Sequence, residues 1–134
     1  MSDQVAGAAG LVVKTSSLSV AGAVGRLSQL VSEKGMKLFA VIDHSGEAET
    51  AGLQLRDTKV VIFGAPVGGT PVMQAAPLVA LDLPLKVLIY DDSGTTTLAY
   101  APPQELARRY GLSDELAARF AGIDALTDAL AGAG

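Results

Sequence analysis

The chain has 134 residues, room for one real core and too little for two comfortable ones. It is 49% hydrophobic and 18% charged, with a mean hydropathy of +0.38, which excludes a disordered chain and leaves an apolar surplus that suits an oligomer interface. A net charge of −4 with scattered Lys and Arg offers no stripe to neutralise phosphates and excludes a nucleic-acid partner, and the absence of cysteine excludes disulfides, thiolate nucleophiles and Cys-type zinc sites.

No basic n-region leads into an apolar stretch at Met1–Gln4, and no apolar run reaches membrane-spanning length, so the expected compartment is the cytoplasm, with no membrane partner. Residues 1–9 and the terminal Ala131–Gly134 are small and weakly patterned; they read as frayed ends around a single domain over 10–131. Leu11–Thr15 reads as a strand. Ser19 then caps a helix carrying Val20, Ala23, Val24, Leu27, Leu30 and Val31 at helical spacing, and Gly35 stops it. Met36–Ile42 is apolar at nearly every position, the pattern of a strand covered on both faces, and it runs into Asp43-His44; Ser45–Thr58 has room for a short helix over Ala48, Ala51 and Gly52.

Lys59–Phe63 reads as a second buried strand, broken by Gly64-Ala65-Pro66 and by Gly68-Gly69. Thr70-Pro71 offers an N-cap oxygen followed by proline at the first helical position, which predicts a helix from Val72 to about Leu81, bent at Pro77. Pro84 opens the strand Leu85–Tyr90, and Asp91-Asp92-Ser93-Gly94 turns it into Thr95–Tyr100 as an antiparallel hairpin. Pro102-Pro103 starts a short helix ending at Gly111. Ser113 caps a last one with Leu116, Phe120, Ile123, Leu126 and Leu130 on one face. The order predicts an α+β fold with a ferredoxin-like βαββαβ core, an extra hairpin strand and C-terminal helices.

His44 is the only histidine, and a carboxylate beside it at a strand end can tune an imidazole for general acid or base work. Neighbours in a strand point to opposite faces, so Asp43 and His44 could equally serve only the backbone of the following turn. Gly68, Gly69 and Thr70 lead a predicted helix N-terminus, where free N–H groups can hold a carboxylate or phosphate, although neither a P-loop nor a dinucleotide glycine pattern is present. Met73 lies one turn on. With one His and no Cys no metal site is expected, and Met73 reads as core filler or a ligand contact. Asp82, between apolar neighbours, needs a partner if covered, or accepts local backbone N–H groups at the helix-to-strand corner. No cofactor is legible in these residues.

Ile42-Asp43-His44, Ala51-Gly52-Leu53-Gln54-Leu55-Arg56, Phe63 to Met73, and Ala80 to Lys86 stand in an order that resembles the family catalogued as domain of unknown function 302, over roughly residues 10–125. The resemblance implies a small α+β domain, often a homodimer, with no established reaction. It also implies that recurrent polar positions fall at Asp43, His44, Gly69, Thr70, Pro71, Met73 and Asp82. Ala65 and Asp57 depart from its usual Asn and Pro.

The sequence therefore leads to a small-molecule or anion-binding domain, a homodimer, with Gly68, Gly69 and Thr70 at the ligand and Asp43 and His44 at its edge. The alternatives are an enzyme using His44 with Asp43 or Asp82, and a structural module. Antiparallel pairing of the strands ending at Asp43 and Gly64 would separate the two motifs within one subunit.

Overall fold

The computed structural model describes residues 5, 6 and 10–132. Six strands form one antiparallel sheet: β1 (Val5–Ala6), β2 (Val12–Ser16), β3 (Lys37–Asp43), β4 (Thr58–Gly64), β5 (Leu85–Asp92) and β6 (Thr95–Tyr100), in the order β1-β2-β6-β5-β4-β3. Part of the N-terminal stretch expected to fray, Val5–Ala6, thus pairs with Val12–Val13; the rest of it, 1–4 and 7–9, lies outside the described residues, as do 133–134.

The α+β class holds. Helix α1 (Val20–Glu33) carries the chain from β2 to β3, two strands of one direction held apart by the others. The second half has its own order. Phe63 of β4 pairs directly with Leu85 of β5, so the chain between them leaves and rejoins the sheet at one point, and the β5–β6 hairpin sits between β4 and β2 rather than at an edge. That hairpin turns through Ser93 and Gly94, both at positive φ (52° and 97°), which matches the right-handed twist of the strands it joins.

Local chemistry explains most element ends. The Ser19 hydroxyl accepts the Gly22 N–H at 2.9 Å, and Gly35 takes φ 72° just past α1. Ser113 caps α5 (Asp114–Ala117) through the Leu116 N–H, and Gly111 at φ 66° ends α4 (Pro103–Tyr110). The last apolar stretch is not one helix: a 3-10 turn at Ala118–Phe120 separates α5 from α6 (Gly122–Ala131).

Two expectations are corrected. The helix predicted from Val72 begins six residues earlier, as α3 (Pro66–Ala75), because Pro66 takes the first helical position and the Ala65 carbonyl accepts the N–H groups of Gly68 and Gly69. It does not bend at Pro77. Ala76, at φ −140° and ψ 81°, lies outside the helical region that a following proline disfavours and breaks the helix, and Pro77–Asp82 continues as a 3-10 segment. The run Met36–Ile42 is not covered on both faces: β3 is an edge strand, with Leu38, Phe39, Val41 and Ile42 exposed by 38–44%. An apolar run shows that a strand wants cover and cannot show which neighbours supply it.

The core lies where α1 and α6 cross the sheet. Val61, Phe63, Val87, Ile89 and Leu98 alternate onto that face and pack against Leu27, Val31, Ile123 and Leu130. Among them is one buried charge. Lys14, 1% exposed, donates to Thr127 Oγ1 (2.6 Å), the Tyr100 hydroxyl (3.1 Å) and the Asp124 carbonyl (3.3 Å), and pairs with Asp128 at 2.8 Å. Burial alone would lower the ammonium's pKa; the Asp128 carboxylate and the Tyr100 hydroxyl outweigh it and hold the pKa above the ordinary lysine value.

Candidate functional site

At the end of the sheet where β4 stops and β5 starts, α3, the 3-10 segment and the start of α6 stand apart enough to leave a cavity of about 290 Å³. Its walls are mostly apolar: Met36 and Phe39 from the β3 side, Met73 from α3, Leu83 from the 3-10 exit, and Phe120 and Ile123 from the C-terminal helices. The volume is near the lower limit for ligand pockets, and an apolar lining with few polar groups is the usual make-up of such sites.

The residues on the wall with polar side chains are Thr70 and Arg119. No carboxylate lines it.

Gly68 and Gly69 shape the floor. Both lie inside α3, and neither is among the residues at positive φ, so the backbone does not require glycine at either position. Packing does not require it either. A Cβ on Gly69 would stand 3.8 Å from Met73 Cε and 3.9 Å from Leu83 Cδ1, and one on Gly68 3.7 Å from the Arg119 carbonyl, all ordinary contacts. Each glycine costs a helix roughly 0.5–1 kcal/mol relative to alanine. What the missing Cβ of Gly69 leaves open is space in the cavity.

The expected site residues divide between three places. Gly68, Gly69, Thr70 and Met73 meet at the cavity. The expected anion cradle there is lost, since the N–H groups of Gly68 and Gly69 close the first turn of α3 on the Ala65 carbonyl instead of facing a ligand.

Asp43 and His44 are elsewhere. Asp43 pairs with Lys59 and Lys37 with Gly64, which puts Asp43 at the other end of β3, about 13 Å along the strand from Phe39, the cavity residue nearest it on β3. The Asp43 carboxylate caps α2 (His44–Thr50), accepting the Gly46 N–H at 2.9 Å, the Ser45 hydroxyl at 2.8 Å and Lys59 Nζ at 2.9 Å. Those donors, the Gly46 N–H first, hold its pKa at about 2. His44 is exposed, and among the described residues its imidazole has no hydrogen-bond partner.

Asp82 is turned away from the cavity. Its carboxylate accepts from the Tyr110 hydroxyl and from Arg109 Nη1 at 2.6 Å, both on α4, rather than from backbone N–H groups at its corner. The Tyr110 hydroxyl and then the Arg109 guanidinium keep it below the usual carboxylate range. Arg109 also reaches Glu105, which Arg108 grips through two bonds of 2.9 and 2.6 Å, holding the Glu105 carboxyl at about 2. This network ties the 3-10 segment to α4 and leaves the cavity wall apolar.

Sequence reasoning missed Met36, Phe39, Leu83, Arg119, Phe120 and Ile123. They converge from separate stretches, and each by itself reads as core or surface. A usable signal was present in the two adjacent glycines of α3, whose helix cost nothing in their own surroundings offsets.

The family model described as Domain of unknown function DUF302 matches residues 12–130. A crystal structure of an uncharacterized conserved protein DUF302 from Bacillus stearothermophilus aligns with a TM-score of 0.75 at 19% identity, over 90% of this chain and 94% of that one, a likeness of fold. Over 111 residues, 81% of this chain, the sequence is 40% identical to proteins named fluoride-specific ion channel FluC 1 in Brucella suis biovar 1 and Brucella abortus biovar 1. The chain spans less than half the length of these curated relatives, 44% and 41%. Among the described residues no helix is long and apolar enough to cross a membrane. With the family model covering the chain from β2 almost to the end of α6, the chain belongs to the DUF302 family of domains of unknown function.

Proposed function

We propose that this domain binds a small, largely apolar molecule in the cavity between α3, the 3-10 segment and α6. The observation that carries the reading is Gly69: a helix position where glycine is costly, unneeded by backbone or packing, and where the missing Cβ enlarges the cavity. Fluoride does not suit such a wall, because a small hard anion needs converging N–H donors and those of Gly68 and Gly69 are already engaged. In the longer relatives with channel names, we read the matched segment as a ligand-binding module carried beside the remainder. The enzymatic alternative lacks the oriented carboxylate that a His44 acid or base needs, since Asp43 is committed to its cap.

Methionine methyl groups test the reading directly. Two of the three methionines, Met36 and Met73, line the cavity, so a screen of apolar compounds by methyl NMR should shift their resonances. Gly69→Val should abolish those shifts while leaving the circular dichroism spectrum intact. Binding that survives Gly69→Val would sink the idea.

A second reading concerns assembly. The long exposed edge β3, with four large apolar side chains and an outer side that no other strand among the described residues pairs, favours a homodimer joined there. Light scattering on wild type and Val41→Lys decides: a monomer in both removes it.

A further inference from the structure

Resting on the cavity reading above, we infer that the ligand carries one negative charge, a carboxylate, which Arg119 receives at the cavity mouth. The guanidinium groups elsewhere are engaged: Arg26 with Gln29, Arg56 with Asp92, Arg108 with Glu105, and Arg109 with Glu105 and Asp82. Among the described arginines Arg119 alone has no side-chain partner, and it is the one charged residue on the cavity wall.

No acid lies there to compensate it. The two nearest in sequence to the wall are both turned elsewhere, Asp82 to Arg109 and Tyr110 on α4 and Asp124 to the Tyr100 hydroxyl. An exposed arginine beside an apolar hollow can lay its stem on the wall and keep its planar head at the rim, where it matches a carboxylate with two parallel N–H bonds. A phosphate monoester fits less well. Its second charge would find no second cation on the wall, and the Thr70 hydroxyl is the one other side-chain donor.

The size of the body follows from the space. At about 30 Å³ for an atom-sized share of liquid, a cavity of about 290 Å³ takes about ten non-hydrogen atoms. That describes a short-chain to medium-chain or monocyclic carboxylic acid, with its apolar end against Met73, Leu83 and Phe120.

Octanoate and octan-1-ol, equal in chain and different in charge, separate the two claims. Titrations followed at the Met36 and Met73 methyls should give octanoate about tenfold tighter binding than octan-1-ol in the wild type, with the advantage shrinking as salt rises. Arg119→Gln should bring octanoate to the level of octan-1-ol and leave octan-1-ol unchanged, while Arg119→Lys keeps part of the preference. Equal binding of the two probes, or octanoate binding untouched by Arg119→Gln, overturns the carboxylate inference and leaves the cavity reading standing. Methyl shifts absent with both probes, or insensitive to Gly69→Val, overturn both.

Discussion

Helix α6 passes between two kinds of surroundings along its ten residues. Its first turn, Gly122 and Ile123, borders the cavity among mostly apolar walls. Its later turns supply the Thr127 hydroxyl and the Asp128 carboxylate to Lys14, and the Leu130 carbonyl to Ser16 at 2.8 Å. At this end every polar group is satisfied, as is every buried side-chain nitrogen and oxygen among the described residues. The contrast separates two uses of one helix: the Lys14 end fixes α6 on β2, and the cavity end leaves contacts unmade that a ligand can make.

The comparison breaks most readily at Lys14. Lys14→Ala empties a filled site and removes the ammonium that joins Tyr100, Thr127 and Asp128, and should cost about 3 kcal/mol in urea unfolding. Lys14→Met keeps the volume, leaves Thr127 bonded to the Ile123 carbonyl, and should recover most of that loss. The sign with pH follows from the raised pKa. The contribution is fully present below the unfolded value near 10.5 and disappears as pH rises through the higher folded value, so wild type should lose stability above about pH 10.5 and Lys14→Met should lose less.

At low pH the order reverses, because the vulnerable groups are then carboxylates outside both ends of α6. Asp43 and Glu105 titrate at about 2, against ordinary values of 3.8 and 4.5. Their stabilisation is present above the ordinary values and is lost as pH falls toward about 2. Melting temperature measured from pH 5 down to pH 2 should fall less steeply in Asp43→Asn with Glu105→Gln than in the wild type. A parallel fall in both proteins would mean that neither capping nor the Arg108–Arg109 network contributes.

Smaller and opposite in sign is Gly68→Ala, which should stabilise by about 0.5–1 kcal/mol through helix propensity and weaken binding at the cavity. Gain of stability with loss of binding is the signature that separates a functional glycine from a structural one. His44→Ala should change neither stability, within about 0.5 kcal/mol, nor the octanoate titration. A tenfold loss of binding in His44→Ala would return the imidazole to the site and undo the distinction drawn between the two ends of β3.

What could be read beforehand was what local chemistry decides. Ser19, Ser113, Gly35, Gly111 and the Ser93-Gly94 turn each act within a few residues, and each ends or starts an element as its side chain or its freedom of φ dictates. The misread start of α3 was a contest between two local signals, Ala65-Pro66 and Thr70-Pro71, and the earlier proline won because the Ala65 carbonyl closes the first turn. Asp43 was legible as a strand end and His44 as its neighbour, while their distance from the glycines depended on β3 and β4 being antiparallel. Lys14 carried no signal beyond being a charge in an apolar strand. The cavity was half legible: Gly68, Gly69, Thr70 and Met73 share one segment, and the groups facing them come from stretches that only the tertiary fold assembles.

The pairing of Phe63 with Leu85 has one more consequence. Because the chain departs and returns at paired residues, the stretch 65–84 is a single excursion from one point of the sheet, and its cavity-facing residues can change without shifting the register of any strand. Natural variation can refit one wall of the hollow in this way while Val61, Val87 and Ile89 keep their places. Any such change has to keep Val72 and Val79 in the core and Asp82 within reach of Arg109 and Tyr110, so the freedom belongs to the residues that face the hollow.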